Sequence, residues 1–304
     1  MMDLPGAVAA EGVDRDVAAH YGSFNTEQRT LERGDGFVDL SHRDVLRISG
    51  PDRLTWLHDL TTQYFLDLPS GQWTTALVLS PNGHVEHAFH GVDDGEVFTL
   101  HTEPGAGTPL REFLERMVFM TRVEIADVPD LAVAWRPKGY DLVPRERLDE
   151  YAEAAGPAAG IWAFEALRIA RGEPRFGFDT DHRTIPNEVG WIPSAVHLDK
   201  GCYRGQETVA RVHTLGRPPR RLTLLHLDGS ENALPARGAD LTLDGRSVGF
   251  VGSSARHHEL GPIALALVKR NVPLEATVYA DGLVAAQEMV VDPEVGLHVR
   301  PKLR

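Results

Sequence analysis

The chain holds one cysteine, Cys202, and its neighbours are polar: Lys200, Gly201, Tyr203, Arg204, Gly205, Gln206 and Glu207. Gly205 with Gln206 and Glu207 reads as a turn feeding a helix, which places the thiol just before a helix N-terminus. The partial positive charge there favours thiolate, and Lys200 and Arg204 act in the same direction. A thiolate is both a nucleophile and a soft-metal ligand. The alternative is a small buried filler, the commonest fate of a free cysteine. One cysteine excludes an internal disulfide and any Cys-only zinc or cluster cage built by a single chain. Cys202 therefore acts alone or shares ligands.

Three other groups invite chemistry. Lys200, Arg204, Arg211, Arg217, Arg220 and Arg221 face only Glu207 between residues 200 and 221, which reads as a local anion site or as a solvated basic face. On the strand after Asn82-Gly83, alternation puts His84, Glu86 and His90 on one side and Val85, His87 and Phe89 on the other. Two histidines and a glutamate could hold zinc, but the spacing matches no recognised motif and a polar ligand channel gives the same pattern, so no metal ligand is assigned. His257-His258-Glu259 is a weaker candidate. Glu188, in Ile185-Pro186-Asn187-Glu188, is on its residues alone a surface or capping glutamate.

The elements that must position these groups follow from punctuation and period. Val45, Leu46 and Ile48 suggest a strand, and Gly50-Pro51 opens a helix carrying Leu54, Leu57 and Leu60. Trp73–Leu79 and His84–His90 form a hairpin about Ser80-Pro81-Asn82-Gly83. Thr108-Pro109 starts a helix with Leu110, Phe113, Leu114, Met117 and Val118 inward. Strands at Leu131–Trp135 and Tyr140–Val143 precede a helix from Pro144, and Trp162–Arg171 is a further helix closed by Gly172. After Arg217-Pro218-Pro219-Arg220 the pattern turns to period two. Short strands with Asp244-Gly245 and Asp281-Gly282 turns then predict a small barrel. Residues 1–33 lack sustained periodicity and read as a loose arm with a short helix. The expected organisation is an arm at 1–33, a central region at 34–216 and a C-terminal β-barrel domain at 217–304.

Composition narrows the function classes. The 304 residues are 42% hydrophobic and 25% charged, an ordinary globular balance. No stretch approaches the ~18 apolar residues of a membrane span. The first twenty residues are acidic where a secretory signal is basic, which predicts a cytoplasmic protein without membrane partners. The net charge of −13 sits mainly before residue 217 and disfavours DNA binding.

The Lys200–Glu207 string resembles the signature of the YgfZ-type folate-binding proteins, which are related to the glycine cleavage T-protein and whose mitochondrial relatives act in iron-sulfur cluster assembly. The resemblance runs from about Phe37. It includes Ile48-Ser49-Gly50, Leu57 to Gln63, Gly139-Tyr140-Asp141-Leu142 with Pro144, Leu167-Arg168-Ile169 with Gly172 and Pro174, and the Ile185–Glu188 segment. It implies an α+β, three-domain ring, with two intertwined domains inside 34–216 and a C-terminal β-barrel around a central folate channel.

For the site, the resemblance implies tetrahydrofolate or a one-carbon derivative as cofactor. Glu188 matches the carboxylate that grips the pteridine in T-proteins. Tyr203 and Gln206 belong to the same ligand segment. Arg220 and Arg221 match the start of the barrel and would meet the folate's anionic tail. Phe164 falls where some relatives place an aromatic near the ligand, with helix-core packing as its alternative. T-proteins carry an Asp-Asp pair where this chain has Glu86-His87. Glu86 keeps a carboxylate, while His87 replaces its partner, which disfavours aminomethyl transfer.

The expected function is therefore folate binding in support of iron-sulfur cluster assembly or repair, with Cys202 as the functional thiol and Lys200 and Glu86 beside it in the chemistry. Iron-sulfur proteins or their assembly proteins would be the partners. The alternatives are an aminomethyltransferase or other one-carbon transferase, and an accessory to tRNA-modifying enzymes.

Overall fold

The computed structural model describes residues 1–231 and 233–297; the end of the expected barrel domain, 298–304, lies outside them. The chain forms two compact units. Unit 1 comprises Met1–Ala76 and His87–Phe164, and unit 2 takes Leu77–Glu86 and the chain from Glu165 onward.

Unit 1 begins with strands β1 (Val8–Ala9) and β2 (Ala18–His20) and helix α1 (Phe24–Glu32). Here the structure shows the expected short helix but corrects the looseness of the arm. Val17, Ala18 and Ala19 are buried, the Ser23 hydroxyl caps α1 at the Thr26 amide, and the Glu27 carboxylate accepts from the amides of Tyr21 and Gly160. Too few apolar residues in sequence mark this segment; its order comes from contacts with distant chain.

Next come β3 (Phe37–Asp39), β4 (Asp44–Ser49), α2 (Arg53–Leu60), β5 (Trp73–Leu79), β6 (Val85–Asp93), β7 (Val97–Thr102) and α3 (Gly107–Arg116). They are followed by β8 (Glu124–Asp127), β9 (Leu131–Arg136), β10 (Gly139–Pro144), α4 (Leu148–Ala154), β11 (Ala158–Ala159) and α5 (Ile161–Ala170). Two sheets result, one ordered β5-β6-β7-β4-β8 and the other β10-β9-β3-β11. The chain leaves unit 1 within β5, returns within β6, and leaves again within α5.

Helix α3 stops one residue short of the expected inward Met117, which is 40% exposed. Its start is set by a distant group: Asp44 Oδ2 accepts from the Gly107 amide at 2.8 Å, a cap that no local pattern reveals. The expected helix from Pro144 begins instead at Leu148, because Gly139–Pro144 pairs with β9 throughout.

Unit 2 holds α6 (Gln206–Leu215) and strands β12 (Arg220–Leu227), β13 (Asp240–Leu243), β14 (Arg246–His257), β15 (Gly261–Lys269), β16 (Val278–Ala280) and β17 (Leu283–Met289). These six strands close into a barrel in the order β12-β15-β14-β13-β16-β17, with β12 pairing β17 to complete it. Leu225, Leu241, Val251, Ala264, Ala266 and Val278 fill its interior, as period-two alternation requires. A bulge in β14 lies between Val251 and Ser254. Gly252 is needed there because a Cβ would collide with Asp179, and the bulge offers the Ser253 amide to Asp179 Oδ1 at 2.7 Å.

Candidate functional site

The residues singled out around Cys202 come together in unit 2. At the tip of the β5–β6 hairpin Gly83 has φ +80°, and Gly205 just ahead of α6 has φ +81°. A Cβ on Gly205 would lie 2.5 Å from Ser80 O and 2.9 Å from Gly83 Cα, and one on Gly83 would lie 2.7 Å from Thr208 Cβ. Only glycine permits both the left-handed backbone and this approach. The hairpin tip and the start of α6 are thereby fixed against each other, and Arg204 Nη1 donates to Glu86 Oε2 at 3.0 Å.

Cys202 is exposed in the loop before α6, which removes the buried-filler reading. Lys200, 5% exposed, places Nζ 5.1 Å from the centre of the Tyr203 ring, a cation–π contact. Tyr203 is buried, and burial pushes its hydroxyl up to about 12. Gln206 is the first residue of α6, its amide donating to Tyr203 O at 3.2 Å. This loop is therefore a fixed scaffold: Lys200 and Tyr203 face inward, Gly205 turns it, and the sulfur points to solvent.

A second cluster in unit 2 surrounds Glu188, which is 1% exposed in the short turn Pro186–Glu188. Its Oε2 accepts from the Ile185 amide at 3.0 Å, so the capping role is real. Arg220 adds a fork, with Nε 2.8 Å from Oε1 and Nη2 2.9 Å from Oε2. The same guanidinium donates to both oxygens of Asp181 at 2.7 and 3.1 Å.

Burial works against the Arg220 charge, and the bonds and charges of Glu188 and Asp181 outweigh it, holding the guanidinium above its usual value. Burial likewise works against the Asp181 carboxylate, yet hydrogen bonds from Arg220 and Thr184 hold it well below the usual range. Asp181 was missed from sequence; its only signal is an acidic residue just upstream of the Ile185–Glu188 segment.

This geometry bears on the expected ligand contacts. A carboxylate has about four lone-pair sites, and three on Glu188 are occupied, leaving one on Oε1. Beside it, Asn187 is 6% exposed and its Oδ1 has no hydrogen-bond partner among the described residues. The turn thus holds two acceptors with spare lone pairs, both buried. Arg220 positions Glu188 and is engaged by carboxylates. Arg221 is fully buried in the barrel wall, donating to Lys269 O at 3.2 Å and Gln287 Oε1 at 3.0 Å.

In unit 1, Phe164 packs as a core residue, 5% exposed, with its ring 5.2 Å from Trp135. His90 joins an aromatic cluster: its Nδ1 lies 2.8 Å from Thr75 Oγ1, and its ring stacks 5.2 Å from His101. Tyr140 lies 4.5 Å from His101 and 5.3 Å from Trp73. Burial chiefly, and the Arg43 charge next, lower His90 to about 4 and His101 well below its usual value. In the barrel, His257 Nδ1 accepts from the amides of Glu259 and Leu260.

Comparison with known proteins places this geometry in a wider context. No family model matches the chain. Its fold is that of glycine cleavage aminomethyltransferase T from Bartonella henselae, with a TM-score of 0.77 over 95% of both chains at 17% identity. In sequence it is 22% identical over 331 residues to an aminomethyltransferase of a Thermotoga species, covering 88% of each chain. It is 26% identical over 285 residues to a putative chloroplastic transferase of Arabidopsis thaliana, covering 76% of this chain and 65% of that one. The chain is thus an α+β protein of the glycine cleavage T fold with a six-stranded closed barrel and aminomethyltransferase relatives. Among the described residues no helix is long and apolar enough to cross a membrane.

Proposed function

We propose that this protein binds tetrahydrofolate, or a one-carbon derivative, and supports the assembly or repair of iron-sulfur clusters in target enzymes through the Cys202 thiol. The three-domain ring with a folate-holding channel belongs to the same proposal. The observation that carries it is the solvent-facing sulfur on a loop pinned by Gly83, Gly205 and the Glu86–Arg204 pair. A thiol kept accessible on a rigid support suits transfer or transient ligation. The T-protein fold and the aminomethyltransferase relatives support the folate part.

On this reading Glu188 Oε1 and Asn187 Oδ1 accept from the pteridine edge, and Glu86 sits beside the reacting end. One thiolate cannot hold a cluster unaided, so Cys202 bridges one transiently as substrate passes.

The experiment compares wild type with Cys202→Ala for tetrahydrofolate affinity by calorimetry and for the activity of iron-sulfur enzymes in cells lacking the native gene. Retained folate binding with lost enzyme activity is the expected result. Unchanged enzyme activity removes the role of the sulfur.

The relatives' names favour a second reading, a folate-dependent one-carbon transferase using Glu86 to handle protons. Here Glu86 is tied to Arg204 and followed by His87, whose ring instead packs 5.7 Å from Phe113. Steady consumption of tetrahydrofolate with an amine donor, abolished by Glu86→Gln, would decide for that reading.

A further inference from the structure

One sheet edge in unit 1 is open. Strand β8 ends the order β5-β6-β7-β4-β8, and among the described residues it pairs with β4 alone. The function proposed above uses none of its residues. Just past β8, the Val128 amide donates to Val45 O at 2.9 Å, and the register runs on through Leu46↔Asp127, Arg47↔Ala126, Ile48↔Ile125 and Ser49↔Glu124. Bonded and non-bonded pairs alternate along an antiparallel ladder. Glu124 and Ala126 therefore bond to β4, while Ile125 and Asp127 turn their main-chain N–H and C=O groups outward. No main-chain group of the described residues bonds to them there.

Such an edge takes up extended chain unless something covers, bulges or blunts it. β8 is not covered: Glu124, Ala126 and Asp127 are exposed and Ile125 is half-buried. Its charge is one-sided, because residues 124–130 hold three acids and no base. Arg111 reaches one of the three, Asp127, at 3.4 Å. A second copy of β8 would add Glu124 and Asp127 to a strip already acidic, and like charges across strands destabilise. The edge selects for basic neighbours instead.

The segment leading into β8 adds an apolar surface. Phe119 and Met120, 79% and 91% exposed, are the most exposed large apolar side chains among the described residues. Both ends of their loop are pinned. The Trp56 indole donates to Met117 O at 3.2 Å, and the amide and guanidinium of Arg122 both donate to Asp52. Met120 has φ +55°, a left-handed backbone that only glycine adopts without strain. A fixed loop that presents apolar side chains to water marks a contact surface. Met120 is four residues before Glu124, at most ~14 Å along the chain.

We propose that β8 takes up an extended segment of a partner protein as an added strand, and that the segment reads basic-apolar-apolar-basic. The basic residues face Glu124 and Asp127, and the apolar pair faces Ile125 and Ala126. This pattern is the same in both chain directions, so it holds for parallel and antiparallel addition alike. The outward main-chain groups of Ile125 and Asp127 supply affinity, and the cross-strand charges supply the choice of partner. Phe119 and Met120 meet apolar residues that flank the four.

The test is calorimetric titration of the full chain with the end-blocked hexapeptide Ser-Lys-Val-Val-Lys-Ser. Binding with a Kd of about 1 mM or tighter is expected. Ser-Glu-Val-Val-Glu-Ser and the reordered Ser-Val-Lys-Lys-Val-Ser should each bind at least roughly tenfold more weakly, equivalent to ~1.4 kcal/mol. The reordered peptide separates strand addition from simple attraction to a net charge of −13. Ile125→Pro deletes an outward N–H that bonds nothing in the fold, a change an edge strand tolerates, and should abolish binding. Glu124→Lys, at an exposed position, should weaken binding of the lysine peptide and strengthen that of the glutamate peptide, a reversal that misfolding cannot produce. The proposal is overturned if the lysine peptide does not bind, if the reordered peptide binds as well, or if either variant leaves the affinities unchanged. A dimer seen by sedimentation and dissolved by Ile125→Pro would also overturn it, assigning the edge to a second copy.

Discussion

Two clusters, one in each unit, bury polar groups by opposite means. In unit 1, His90 and His101 are kept neutral among Trp73, Tyr140 and Thr75, and burial sets their titration. In unit 2, Arg220, Glu188 and Asp181 stay charged and share five hydrogen-bonded contacts including one to Thr184. Arg168 repeats the device, lying between Glu165 and Asp179. Burial without a partner suppresses charge, whereas burial with a geometrically matched partner preserves it. The first arrangement is sensitive to mild acid and the second to loss of a partner.

The largest effect is therefore expected from removing a partner in unit 2. Arg220→Met leaves Glu188 almost fully enclosed without its counter-charge, and breaking a buried pair in this way costs ~3–5 kcal/mol. Urea unfolding should show that loss, and adding Glu188→Gln should recover part of it. A loss no larger than for an exposed pair would erase the distinction between the two clusters. Asp181→Asn removes one of the two carboxylate partners of Arg220 and should cost less, ~1–3 kcal/mol.

Acid separates the units by pH window. His90 titrates near 4 in the fold against ~6.5 when unfolded, so the unfolded chain binds more protons between those values. Stability from this group is then full above ~6.5 and falls as pH drops toward 4, by on the order of 3 kcal/mol if the whole shift is expressed. Asp181 behaves differently. Its folded value is lowered, so its contribution is present above the unfolded ~3.9 and is lost only as pH falls further, through the folded value. Hydrogen exchange followed from pH 7 to 4 should show β6 and β7 losing protection while the Glu188 turn keeps it. His90→Asn should flatten the response of β6 and β7; an unchanged slope would mean that the imidazole is not the titrating group.

How much of this was legible in sequence depends on how local the cause is. The barrel was readable because alternation and the Asp244-Gly245 and Asp281-Gly282 turns are local signals, and both aspartates do take positive φ. The Cys202 loop was readable as a polar, glycine-bracketed segment before a helix. What escaped were groups whose meaning lies in a remote partner. Asp44 starts a helix sixty-three residues away, and Asp181 completes the Arg220 fork across thirty-nine. Adjacent Arg220 and Arg221 look alike in sequence but alternate across the strand, one turned to carboxylates and the other sealed into the barrel wall. Likewise Lys200, read as a charge beside the thiol, lies over the face of Tyr203.

The smallest expected effect tests whether geometry or exposure governs the worth of a charge pair. Arg204 and Glu86 are joined at 3.0 Å, much as Arg220 is joined to Glu188, yet their side chains are 37% and 38% exposed. Water screens such a pair, and the entropy of fixing two long side chains offsets most of the remaining attraction. Glu86→Gln should thus change stability by less than ~1 kcal/mol, within the error of most unfolding curves. Its consequence should lie in the order of the Cys202 loop, because that ion pair ties the loop to the hairpin. The rate of Cys202 alkylation by iodoacetamide is the sensitive readout: loosening the tether should change it while the unfolding midpoint stays put. A large stability loss would show instead that the hairpin tip depends on the pair, and that the two glycines alone do not hold it.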